Sequence, residues 1–244
     1  MRPLSPHHLL QIWEIGQSQH PIDRALTLLT FACPEKTVDE LVSFSIGQRD
    51  AYLLTLRELT FGSKLNGFAE CPQCRERLEF TLNVADIRVI ESMAGVQQEY
   101  TLTSGELDLQ FRLPNSRDLA AIVGYQQVGA ASALLAKRCL LQAMREGVPV
   151  AWDELPAGAI VQLSKKMAEC DPQAEILLDL NCPSCSHSWQ VLFDIVSFFW
   201  SELSAQAKRL LHEVHLLARF YGWREADILS MSAVRRQFYL DLAS

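Results

Sequence analysis

The sequence predicts an α+β protein, mainly α-helical, with a small β element built around four cysteines. Three observations carry that reading. Long stretches repeat apolar residues at mixed three- and four-residue spacings, as amphipathic helices do. A C-P-x-C turn occurs twice, at Cys71-Pro72-Gln73-Cys74 and at Cys182-Pro183-Ser184-Cys185. After each turn the chain alternates apolar and polar residues, the period-two signature of a half-buried strand.

The chain has 244 residues, 49% of them hydrophobic and 21% charged, an ordinary globular balance. A chain of this length buries roughly 70–75% of the surface its unfolded form exposes, so its core needs no disulfide framework. With 22 Lys and Arg against 29 Asp and Glu, the net charge is −7. That argues against a general electrostatic grip on nucleic acid or anionic lipid and leaves only local basic patches. No apolar run precedes Pro6, His7 and His8, and the most apolar later stretch, Val191 to Trp200, is broken by Asp194. Neither an export signal nor a membrane span is expected, and the cytoplasm is the expected compartment.

From Pro6 to Phe61 the apolar spacing fits three or four helices, with Pro21 in a first turn, Pro34 closing the segment before it and Gly62 as a C-cap. These form an N-terminal helical region, residues 1–67. Residues 68–90 are read as the first knuckle and its strand, with Phe80 and Leu82 on one face and Asp86-Ile87 closing it. Residues 91–178 are an inserted lobe. It opens with a hairpin, Tyr100-Thr101-Leu102 against Leu107 to Phe111 across Thr103-Ser104-Gly105-Glu106. A helix capped by Ser116 follows, then a longer one carrying Leu134, Leu135, Leu141 and Met144, and another from Ala157 to Ala168 that ends before Asp171-Pro172. Residues 179–200 repeat the knuckle and strand, with Trp189, Val191 and Phe193 leading to Asp194-Ile195. Residues 201–244 hold the clearest periodicity, Leu203, Ala207, Leu210, Leu211, Val214, Leu217, Ala218 and Tyr221, an amphipathic helix that Gly222 ends. A short helix from Trp223 to Leu229 and one from Ser232, with Val234, Phe238 and Leu242 facing inward, complete the expected fold.

Seven cysteines is an odd number, and four of them form the two C-x-x-C pairs. In a chain without an export signal such pairs point to metal or redox chemistry. A tetrahedral Zn²⁺ takes four soft ligands, and each C-x-x-C turn presents two sulfurs to one metal. Cys71, Cys74, Cys182 and Cys185 therefore make one complete, closed structural zinc site, and the two flanking strands are expected to meet in a zinc-ribbon-like sheet. Four protein ligands leave no position for a reactive water, which argues against a catalytic zinc. Two other readings stay open. A redox pair needs a thiolate activated at a helix N-terminus or by cations, whereas these turns precede strands; the four could also be core cysteines. Zinc knuckles often place Gly after the second Cys, and here Arg75 and Ser186 stand there. Cys33, Cys139 and Cys170 have no partner at ligand spacing and read as small buried hydrophobes.

Weaker signals have plainer readings. In His212-Glu213-Val214-His215 the histidines are three apart, whereas H-E-x-x-H needs four, so it reads as a surface helix motif. His7, His8 and His20 read as solvated side chains. No phosphate-cradling or nucleophile-elbow motif occurs, and no enzyme is expected. Arg235 and Arg236 on a terminal helix suggest a nucleic-acid reader, and a zinc-ribbon nucleic-acid-binding regulator is the alternative function. Phe198-Phe199-Trp200 is the densest aromatic cluster, in the core or at a docking site.

Several stretches together resemble a known family. They are His20-Pro21-Ile22-Asp23-Arg24-Ala25, Gly47-Gln48-Arg49-Asp50 through Leu56-Arg57 to Phe61-Gly62, the first knuckle, Leu113 to Leu119, and Asp171-Pro172 leading to the second knuckle. Glu213 to Ala218, Tyr221 to Leu229 and Arg235 to Leu240 are the most distinctive. The chain resembles the T4-type baseplate hub assembly chaperones of contractile phages and phage-tail-like contractile injection systems. The resemblance implies a non-enzymatic factor that binds baseplate or hub proteins in the bacterial host cytoplasm and either leaves or stays in the finished particle. It implies no nucleic acid, membrane or small-molecule substrate.

Overall fold

A computed structural model of the chain describes residues 1–89 and 99–243; the expected boundary between residues 90 and 91 lies outside the described residues. Four helices open the fold: α1 (Pro6–Gly16), α2 (Pro21–Ala32), α3 (Val38–Ser43) and α4 (Ile46–Phe61). Each starts where a side chain can satisfy a first-turn N–H, with Ser5, His20, Thr37 and Ser45 accepting those bonds. Pro6 and Pro21 occupy first-turn positions that need no N–H donor. Gly62 ends α4 at φ +93, a conformation that favours glycine.

The strands around the knuckles differ from expectation. Each knuckle lies between two strands rather than ahead of one. β1 (Lys64–Glu70) and β2 (Arg77–Asn83) flank the first, and a four-residue helix, α5 (Val84–Ile87), follows. β1 pairs antiparallel with β2, Leu65 opposite Leu82 and Glu70 opposite Arg77. Lys64–Glu70 carries Gly67 and little alternation, which hides it as a strand. A Cβ at Gly67 would meet the Phe80 ring at 2.6 Å, so the ring of the opposite strand lies directly over this backbone.

The middle of the chain forms a four-stranded antiparallel sheet in the order β3 (Tyr100–Ser104), β4 (Leu107–Phe111), β5 (Leu140–Arg145) and β6 (Val148–Pro149). Between β4 and β5 lie α6 (Ser116–Ile122) and α7 (Val128–Cys139), and after β6 comes α8 (Ala157–Cys170). The hairpin around Gly105 is where the sequence places it. The cap of α6 is Asn115, whose side chain accepts from Arg117 and Asp118, rather than Ser116. Leu141 and Met144 sit on β5 instead of extending a helix. Leu140–Arg145 is rich in helix formers, but pairing with β4 overrides that preference. Glu146 and Gly147, at φ +48 and +83, make the two-residue turn into β6.

The second knuckle lies between β7 (Leu177–Asn181) and β8 (Ser188–Leu192), which pair only with each other. The two knuckle hairpins are therefore separate two-stranded sheets rather than the shared sheet expected. α9 (Ile195–Tyr221) then begins well before Leu203, capped by Asp194, so the residue that breaks the apolar stretch starts a helix. Gly222 ends α9 in the left-handed region at φ +69. The chain closes with α10 (Glu225–Ser230) and α11 (Ala233–Leu242).

Helix accounts for 56% of the structure, which makes the fold mixed but mainly helical. Two apolar cores support it. The larger joins α1, α2 and α4 to α9 and α10 through Ile12, Leu28, Leu53, Phe199, Leu203 and Leu210, with Cys33 inside it. Phe199 is fully buried, while Phe198 and Trp200 pack against the same core. The smaller lies between the four-stranded sheet and α7 and α8, with Leu109, Phe111, Leu163 and Cys139 at its centre and Cys170 against it.

α11 faces the opposite way from expectation. Val234, Phe238 and Leu242 are 82%, 61% and 60% exposed, while Arg236 is 3% exposed. Arg236 Nε donates to Glu213 Oε2 at 2.9 Å, and Arg209 donates to Oε1 of the same carboxylate. A buried guanidinium against a buried carboxylate orients this helix, a pairing that hydropathy cannot show.

Candidate metal centre

The two knuckles repeat one backbone frame. The Cys71 N–H donates to the Glu76 carbonyl and the Arg75 N–H to the Cys71 carbonyl. The second copy makes the same bonds from Cys182 to His187 and from Ser186 to Cys182. Arg75 and Ser186 stand at φ +66 and +58, the left-handed conformation that glycine usually supplies. The turn geometry is thus kept in both copies without the glycine.

The hairpins meet at their tips. The Cys71 and Cys185 sulfurs are 3.7 Å apart and those of Cys74 and Cys182 are 3.5 Å apart. All four sulfurs lie within 4.8 Å of one another. A tetrahedral Zn²⁺ with Zn–S bonds of about 2.3 Å sets its sulfurs about 3.8 Å apart, so the donor set fits that ion. These separations are far beyond a disulfide bond of about 2.05 Å, and all seven cysteines are free thiols. Cys71 and Cys182 are buried, Cys185 is half-buried and Cys74 is exposed. Burial pushes the Cys71 thiol up, but the N–H groups of Cys74 and Gln73 and the neighbouring thiols outweigh it and bring it down to about 7. Among the described residues, no other group of three or more His, Cys, Asp or Glu has the geometry to hold an ion. His212 and His215 are exposed on α9, whereas Glu213 between them is taken by two arginines.

The family described as T4 bacteriophage base plate protein matches residues 7–200, a span that contains both knuckles and most of the fold. The chain belongs to this family. No curated protein and no solved structure matches it. In this baseplate protein, no helix among the described residues is long and apolar enough to cross a membrane.

The same baseplate protein has a second junction of distant segments, which sequence reasoning passed over. The Gly47 N–H donates to Asp171 Oδ2 at 2.9 Å, so a carboxylate 124 residues away serves the first turn of α4. A Cβ on Gly47 would lie 1.9 Å from Asp171 Oδ1, so only glycine admits this approach. The Ile46 N–H donates to the Pro114 carbonyl, and Ser45 bridges Asn115. Gln173, fully buried, accepts from the Val89 N–H at 2.6 Å and donates to the Ile87 carbonyl at 3.2 Å. Asp118 is buried between Arg112 and Arg138; burial works against its charged form, but those pairings and the Asn115 N–H hold the carboxyl below its usual range. Gly47, Asp171 and Pro114 all fall in the stretches that carry the family resemblance, which was the available signal; nothing local in the sequence pairs them.

The arginine pair that suggested a nucleic-acid reader is divided. Arg235 is exposed and lies over the Tyr239 ring, whereas Arg236 is committed to Glu213. Among the other minor signals, His20 caps α2, and His8 packs edge-on against Phe31.

Proposed function

We propose that this baseplate protein is a non-enzymatic assembly factor, or chaperone, for the baseplate or hub of a contractile phage tail or tail-like injection system, and that it holds one structural zinc. The observation that carries the reading is the meeting of four thiols from two matching knuckles in a chain of this family. Cys71, Cys74, Cys182 and Cys185 would hold the zinc, which when bound supplies a tie between the two hairpin tips. That tie makes a zinc-ribbon-like element from strands whose inward residues are otherwise only half-buried. With four protein ligands the site serves structure, and the function is exercised by protein–protein binding in the host cytoplasm.

Native mass spectrometry of the chain co-expressed with the baseplate proteins encoded beside it tests both halves. One zinc per chain and a bound baseplate protein are the expected result. A metal-free, solitary chain overturns the reading.

A further inference from the structure

β7 pairs with β8 and, among the described residues, with no other strand. The phase of that ladder is fixed at both ends. The Phe193 N–H donates to the Ile176 carbonyl and the Cys182 N–H to the His187 carbonyl. Hydrogen-bonded and non-bonded pairs alternate along an antiparallel ladder, so Leu178 and Leu180 bond toward β8 while Leu177 and Asp179 turn their N–H and C=O groups to the open edge. Proteins ordinarily blunt such edges with lysine, proline or a bulge. β7 reads Leu-Leu-Asp-Leu-Asn, and its register with β8 is unbroken.

A cleft of about 430 Å³ follows this strand. Leu177, Leu178, Asp179 and Leu180 all line it. Side chains alternate across a strand, so successive residues share one cleft where it runs along the strand's edge rather than over one face. β2 contributes only Phe80 and Leu82, which are two residues apart and so on one face. The cleft therefore has unpaired backbone on one wall and apolar side chains on the other. Its rim is acidic: Asp86, Glu175 and Asp179 are exposed, whereas Arg88, the cation among the lining residues, is paired with Glu58.

We propose that β7 receives an added strand, an extended basic segment of a baseplate partner that lies in this cleft. Its backbone pairs with Leu177 and Asp179, its alternate apolar side chains rest on Phe80 and Leu82, and its Lys or Arg side chains meet Glu175 and Asp179. Leu177 to Leu180 span about 13 Å at roughly 3.3 Å per residue, so the paired part of the segment is about four residues long. The proposal rests on the assembly reading and names the surface and partner chemistry for it.

The test uses the full chain with each baseplate protein encoded beside it, read by calorimetry and by amide hydrogen exchange. In the complex the Leu177 and Asp179 amides should exchange about tenfold or more slowly than in the free chain, while the Gln190 amide, on the far edge of β8, should not change. Asp179→Pro removes an outward N–H and leaves the β7–β8 ladder intact, and it should weaken binding by about tenfold or more. Glu175→Lys with Asp179→Lys should weaken binding as much, at an unchanged melting temperature, and flatten its salt dependence. The lysine variant decides the matter if the proline variant does not fold. Binding that leaves the Leu177 and Asp179 amides unprotected, or parent-like binding by the lysine variant, overturns this site and leaves the assembly role standing. If no baseplate protein binds the parent chain, the assembly reading falls and this proposal with it. Protection of the same amides when the chain alone is concentrated would overturn the proposal by giving the edge to a second copy.

Discussion

The cysteine tips and the lobe junction both join segments far apart in sequence, and they do so by different chemistry. At the tips, thiols 108 and 114 residues apart meet at the ends of two small hairpins. At the junction, Asp171 reaches Gly47 across 124 residues and Gln173 reaches Val89 across 84, inside the protein. The junction is closed by ordinary polar groups because burial strengthens each bond and makes leaving it unmade expensive. The tips have less cover: Cys71 and Cys182 are buried, but Cys74 is exposed and the strand faces are only half-buried. A contact there needs a stronger link, and four thiols at tetrahedral spacing supply the place for one.

The largest effect should come from breaking the tips. Cys71→Ser or Cys182→Ser should abolish zinc retention and lower the melting temperature by about 10 °C or more, or aggregate the chain, since structural zinc contributes about 10–16 kcal/mol of apparent binding energy in small peptides. An unchanged melting curve would show that the thiols do not hold the fold. Next, Gly47→Ala should cost about 2–4 kcal/mol in urea unfolding, because its Cβ meets the Asp171 carboxylate and lies 3.0 Å from the Ala174 N–H. This variant should match the parent chain in zinc content, which separates the two junctions.

A pH series sharpens the comparison further. Burial raises the Asp50 carboxyl from 3.8 to about 6, against the pull of Arg49 and with Asp194 and Asp171 adding to the rise. The folded form holds this proton more tightly than the unfolded chain. The stability it contributes is full below pH 3.8 and is lost as pH rises through about 6. Asp50→Asn should therefore gain about 2–3 kcal/mol relative to the parent between pH 4 and pH 7, read from urea midpoints. A constant difference across that range would remove the argument. The smallest effect belongs to the knuckle turns: Arg75→Gly or Ser186→Gly should raise stability by about 0.5–1 kcal/mol at an unchanged metal content, because glycine adopts the left-handed conformation more readily.

The two junctions were also unequally legible in the sequence. The C-P-x-C turns announce themselves, since ligand chemistry is written in residue type and spacing, and the four sulfurs do converge. Gly47 and Asp171 bear no such mark, because a hydrogen bond between a backbone N–H and a distant carboxylate has no local pattern. Periodicity located α9 and the hairpin at Gly105, both dominated by local burial. It failed at Leu140–Arg145, where a partner strand decides, and at α11, where Arg236 and Glu213 decide against the apolar stripe. β1 and β7 escaped because each depends on its pairing across a knuckle more than on its own alternation.

Gln173 carries one more consequence. Its side-chain amide meets the Ile87 carbonyl and the Val89 N–H as the peptide group of a neighbouring strand would. The chain therefore leaves the helical body at Val89 and rejoins it at Gln173 a hydrogen bond away, touching the start of α4 in between through Pro114 and Asn115. The two ends of the inserted segment thus meet, and the entropy of closing such a segment depends only weakly on its length. A module of different size exchanged at that point would cost little in closure but would have to renew the Pro114 and Asn115 contacts with the start of α4.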